Sequence, residues 1–154
     1  MDNFKMTGDV FEKINQIIEK VSEKNLDVGW FKGISYKEGV TVATVVVSNE
    51  FGNPSMNVPD RPFINPTIEK NNKRYGEMFN KLCLKSYENK FPVDGILDFM
   101  GGEITANIQD AIKAVNSPQL KPATIKDRER RGLNTTSILQ ATGTMISTIT
   151  WKTE

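Results

Sequence analysis

Asn49-Glu50-Phe51-Gly52-Asn53-Pro54-Ser55-Met56-Asn57-Val58-Pro59-Asp60-Arg61-Pro62-Phe63-Ile64-Asn65-Pro66 is the stretch on which the fold turns. It holds Pro54, Pro59, Pro62 and Pro66, four of the chain's seven prolines. Proline fixes φ and lacks a backbone N–H, so the segment can be neither ordinary helix nor central strand. Irregular stretches of this length are either functional or disordered. Phe51, Met56, Val58, Phe63 and Ile64 are spread through it, which predicts an ordered loop packed on something. Two readings stand side by side. Phe63 pins the loop to the chain's own core, or Arg61 and Phe63 form a stiff hook that anchors a neighbouring subunit. Flanking prolines lower the entropy lost on ordering such a loop, and arginine and aromatic side chains are favoured interface anchors.

On the N-terminal side, Val40–Ser48 is rich in β-branched residues and reads as the best strand in the sequence. A second strand is expected over Asp27–Ser35, with a turn at Tyr36–Gly39 making the pair a hairpin. Before them, Val10, Ile14, Ile17, Ile18 and Val21 recur at helical spacing and predict a helix over Asp9–Lys24, with Asp9 and Glu12 as a capping pair.

On the C-terminal side, Asn65 is a candidate cap and Pro66 suits the first turn of a helix running to about Asn89. After Pro92, the stripe Ile96, Leu97, Met100, Ile104, Ile108, Ile112 and Val115 predicts a second long helix, with Gly101-Gly102 as a point of weakness or a kink. A connector, Asn116–Lys121, precedes a short charged helix over Pro122–Gly132, and Ile146–Trp151 alternates as a closing strand that joins the sheet. The expected fold is one α+β domain spanning residues 1–154. It has a small antiparallel sheet (the hairpin plus the C-terminal strand), an N-terminal helix, two longer helices and the long Pro-rich loop.

Twenty Lys and Arg face nineteen Asp and Glu, for a net charge of +1 over 154 residues. That balance argues against a protein devoted to coating nucleic acid, which needs surplus cations. Histidine is absent, which removes His-dependent triads and His-ligated zinc. The single Cys83 can form neither an internal disulfide nor a Cys-rich metal site, and it reads as a buried structural thiol in a chain made in a reducing cytosol. Met1–Val10 carries Asp2 and Asp9 and no apolar core, so no signal peptide is expected, and no membrane contact either. Gly29, Gly33, Gly39 and Gly101-Gly102 match no phosphate-binding loop. Glu77, Glu88, Asp94, Asp98 and Glu103 read as solvated helix charges rather than an acid/base pair.

One basic cluster stands out: Arg128, Arg130 and Arg131, with Lys121 and Lys126 nearby and Asp127 and Glu129 between. No aromatic residue sits among these charges to stack a base. A salt-bridged helix is the plainest reading; a subunit contact through arginine and a DNA-binding patch are the others.

Taken in order, these features resemble a family. A β-rich segment leads into Ser48-Asn49-Glu50-Phe51-Gly52, a short gap leads to Val58-Pro59-Asp60-Arg61-Pro62-Phe63-Ile64, and two long helices follow. Then come Pro122-Ala123-Thr124-Ile125-Lys126 and Ala141-Thr142-Gly143-Thr144-Met145-Ile146-Ser147-Thr148-Ile149. This series, covering about residues 40–150, resembles the tail-completion and head–tail joining proteins of tailed bacteriophages, the minor tail protein Z-like and virion morphogenesis groups. The chain departs from their pattern in Leu133–Gly143, which is longer and lacks the Pro-Leu the family carries before Thr-Gly.

The resemblance implies a structural, non-enzymatic virion protein of the neck or upper tail that needs no cofactor and is assembled in the host cytoplasm. It implies a ring, expected as a hexamer, that meets connector or adaptor, tail terminator or tail tube proteins, with DNA only as cargo in the lumen. The residues expected at subunit contacts are Phe51, Arg61, Phe63, Ile64, Arg128, Arg130 and Arg131. A tail terminator capping the tube, and a DNA-associated accessory protein using Arg128–Arg131, are the alternatives.

Overall fold

The computed structural model describes residues 8–154, so the reading of the first seven residues lies outside it. Its elements are α1 (Gly8–Ser22), β1 (Leu26–Gly29), α2 (Val42–Glu50), α3 (Asn65–Tyr87), α4 (Ile96–Ala114), α5 (Pro122–Arg130), α6 (Thr144–Thr148) and β2 (Thr150–Thr153). Short 3-10 turns at Pro54–Met56 and Val93–Gly95 precede α3 and α4. The class is α+β, as the sequence predicts: six helices and a two-stranded antiparallel sheet.

α3 and α4 are the axis of the molecule, and they pack against each other. The end formed by the C-terminal half of α3 and the start of α4 gathers Leu82, Cys83 and Ile96 with Val21 of α1. Ile17, Met78, Phe79, Leu97 and Met100 fill in around them. The other end joins Ile108 and Ile112 of α4 to Phe63, to Val42 and Val46 of α2, and to Ile138, Leu139, Met145 and Ile149 of the C-terminal stretch. Ile96 and Ile108, the nearest fully buried α4 members of the two cores, stand twelve residues apart, about 18 Å along the helix.

The expected hairpin does not form. Its turn exists, with Gly39 at φ 83° donating to the Tyr36 carbonyl, but its arms meet in one isolated bridge, Ser35 to Thr41. Val42–Glu50 is helix. The Thr41 hydroxyl accepts from the Thr44 amide at 3.1 Å and caps the helix. Val42, Val46 and Glu50, four apart, all turn inward. Gly52, at φ 74°, then ends the helix in a conformation that side chains resist, and a Cβ there would stand 3.1 Å from the Asp60 amide. The gain from burying the Val42–Val46 face in the core outweighs the preference of β-branched residues for strand, which is a fraction of a kcal/mol per residue.

The sheet is instead β1 with β2, running from Leu26 opposite Thr153 to Gly29 opposite Thr150. The C-terminal strand was expected to join a hairpin sheet; without the hairpin, it pairs with the first strand alone. It begins later than its alternating pattern suggested, because Thr144–Thr148 is a helical turn. α4 runs unbroken through Gly101-Gly102. These glycines make room for Trp151 of β2, since a Cβ on Gly101 would fall 2.5 Å from the indole ring.

Candidate functional site

The Pro-rich loop is stitched to its own body by three side chains. Glu50, the last residue of α2, is only 4% exposed. Its carboxylate accepts from the amides of Phe63 (2.7 Å), Ile64 (2.9 Å) and Asn65 (2.9 Å). Those amides open α3, whose unpaired N–H groups and dipole both favour an anion. Glu50 is thus the cap of α3, supplied from across the loop. Asn65, the expected cap, makes no capping hydrogen bond.

Arg61 is the second stitch. It is 7% exposed, and its Nε donates to the Pro118 carbonyl at 3.0 Å, tying the loop to the connector after α4. Its own amide donates to the Asn49 carbonyl. Phe63 is the third, 2% exposed in the core, with its ring edge-on to Trp30 at 6.2 Å. Of the two readings of the loop, the structure has the one in which Phe63 is an internal anchor. Arg61 and Phe63 have their side chains turned into the chain itself, and Ile64 packs against the same core. The hook reading is corrected as a projecting arm: Phe63 and Ile64 pack in this chain's own core, and the Arg61 guanidinium is held inward on the chain's own Pro118 carbonyl. Phe51 differs from them, standing 68% exposed just past the end of α2.

The basic cluster separates in the same way. Arg128 donates to the carbonyls of Asn134, Ser137 and Ile138, clamping the loop that follows α5. Burial lowers its pKa, and the nearby Arg61 guanidinium lowers it further. Arg130 pairs with Asp127 at 2.5 Å, and Arg131 pairs with Glu38 and Asp127. The plainest reading, a salt-bridged helix, describes Arg130 and Arg131. Sequence could not show Arg128's clamp, because its acceptors are main-chain atoms brought round by the turn at Gly132.

Between α2, Met56–Pro59, α5 and Ile138–Thr142 lies an open groove of about 510 Å³. Apolar side chains dominate its lining, among them Val45, Val58, Leu133 and Leu139. Arg61 and Arg128 also line it, and no carboxylate among the described residues lies within 4.0 Å of either guanidinium. A second cleft, of about 540 Å³, runs along the other side of Arg61, between Pro66–Asn71 and Asn107–Ser117.

Cys83 is 2% exposed, and burial pushes its thiol pKa up, away from nucleophilic use. No group of three or more His, Cys, Asp or Glu side chains is arranged to hold a metal among the described residues, and no helix among them is long and apolar enough to cross a membrane. The carboxylates read as solvated charges include Asp94, which binds Lys20 and Lys24, and Glu103, which binds Arg74. What this surface offers is shape, apolar area and two cations without counter-charges. Compared with known proteins, the chain matches no family model, no curated protein and no solved structure.

Proposed function

We propose that the chain is a structural protein of a tailed bacteriophage, one subunit of a ring in the neck or upper tail that completes the tail and joins it to the head connector. One observation carries the reading. The two halves of the resembling pattern, Glu50-Phe51-Gly52 and Pro59-Asp60-Arg61-Pro62-Phe63, are one physical unit. The carboxylate of the first accepts from the amide of Phe63, which ends the second, and from the two amides after it, and Gly52 permits the close approach between them. That mutual dependence supports reading the two halves as parts of one pattern. The open groove and the exposed Phe51, Met56 and Val47 supply surface for a neighbour to cover, as an assembling subunit requires.

The DNA-associated alternative loses most of its basis. Arg130 and Arg131 face carboxylates, and Arg128 is held on backbone carbonyls at a mostly apolar groove, so this cluster offers phosphate no run of exposed, unpaired cations.

Cryo-electron microscopy of virions of the phage that encodes the chain tests the proposal. The expected result is a ring of density at the head–tail junction into which this fold fits. Complete virions lacking that density would refute it.

A further inference from the structure

The groove has a mostly apolar lining and two arginines that no carboxylate among the described residues neutralises. On its rim Val40 is 45% exposed and Met56 is 71% exposed. A small acid could occupy the floor but would leave that rim in water; a macromolecular surface covers both. What the groove calls for is carboxylates set beside apolar side chains.

The chain carries such a surface at its opposite end. On α1, Phe11 is 55% exposed and Ile18 is 37% exposed, whereas Ile17 and Val21 turn inward onto the core with Leu82. Phe11 and Ile18 lie seven residues apart and so share one side of the helix; Glu12 and Glu19, each next in sequence, form a parallel row about 100° further round it. Neither glutamate forms an ion pair among the described residues. α1 packs on the far end of α3, and the groove belongs to the other core. A contact between two such different patches is heterologous, and repeated head to tail it closes a ring when the rotation allows.

We propose that the groove of one copy receives the Phe11–Ile18 side of α1 from a second copy, with Glu12 and Glu19 brought opposite Arg61 and Arg128. The apolar pair covers the Val40–Met56 rim, and the glutamates supply the counter-charge the groove lacks. This names the contact within the ring reading above and rests on that reading for self-association.

The test uses the full chain and two double variants at exposed positions, Phe11→Lys/Glu19→Lys and Val40→Asp/Met56→Asp, with circular dichroism and thermal melting to confirm the fold. Sedimentation velocity of the wild type should show association that strengthens up to millimolar protein and weakens as salt rises. Each double variant should associate at least about tenfold more weakly. A 1:1 mixture of the two variants keeps one intact α1 face and one intact groove, so it should form pairs that grow no further. A wild type monomeric throughout, variants that associate as the wild type does, or a mixture that stays monomeric each overturns the contact. Association unaffected by the variants removes the contact and leaves the neck reading standing. An intact contact in a protein missing from the virion junction does the reverse.

Discussion

At the helical end of the α3–α4 pair, Val21, Leu82, Cys83 and Ile96 meet as apolar stripes, and the polar contacts, such as Lys20 and Lys24 with Asp94, lie on the surface. At the loop end, Phe63, Val46 and Ile112 also pack, but the end is held in shape by polar side chains that bind backbone: the buried Glu50 on three amides, and the buried Arg61 and half-buried Arg128 on carbonyls. The reason lies in the backbone itself. Helices satisfy most of their own N–H and C=O groups, so α1 needs only an apolar face. The Pro-rich loop and the 131–143 stretch have no ladder, and their buried groups need side-chain partners. Residues that resemble a binding hook in sequence are therefore fasteners.

Changes at the loop end should be far more damaging than polar changes at the helical end. The largest effect is expected from Glu50→Ala, which leaves three amides at the start of α3 without their acceptor and should cost about 3–6 kcal/mol. Urea unfolding followed by circular dichroism measures it, and a cost below 1 kcal/mol would break the comparison. Arg61→Met keeps most of the buried volume but frees the Pro118 carbonyl, for about 2–3 kcal/mol.

Gly101→Ala tests the seam where β2 lies on α4. The new methyl meets the Trp151 ring, and shifting the indole should cost about 1–3 kcal/mol despite alanine's better helix propensity. Thermal melting together with near-ultraviolet circular dichroism of the tryptophans reads both consequences. Asp94→Asn should have the smallest effect. The hydrogen bond from Lys24 and the charges of Lys20 and Lys24 hold the Asp94 carboxyl below its ordinary value. Its contribution is therefore present above the unfolded carboxylate pKa of about 3.9 and is lost as pH falls through the lower folded value. The Asp94 side chain is 65% exposed, so that contribution is screened by salt, and the variant's melting curve should match the wild type's at neutral pH.

Legibility in the sequence followed the same division. α1, α3, α4 and α5 announce themselves through apolar spacing, prolines and Gly132, because their stability comes from local pattern plus one buried face. β2 was legible through its alternation, though Gly143 starts a helical turn first. α2 was not, since Val45-Val46-Val47 favours strand and the signals against it are sparse: Thr41 as cap, Val42, Val46 and Glu50 at intervals of four, and Gly52 as terminator. Glu50 was visible as part of a pattern, but its role as a cap depends on amides thirteen to fifteen residues away. Arg61 and Phe63 were singled out by their setting between prolines, and only the folded chain shows which way they point.

Amide hydrogen exchange at Phe63, Ile64 and Asn65 reads out whether the Glu50 carboxylate fastens the proline-rich segment to its own body. These three amides should be protected nearly as well as those in the middle of α4, such as Ile108, and Glu50→Gln should expose them selectively. Exchange in the wild type as fast as at the exposed Asn57 would contradict it.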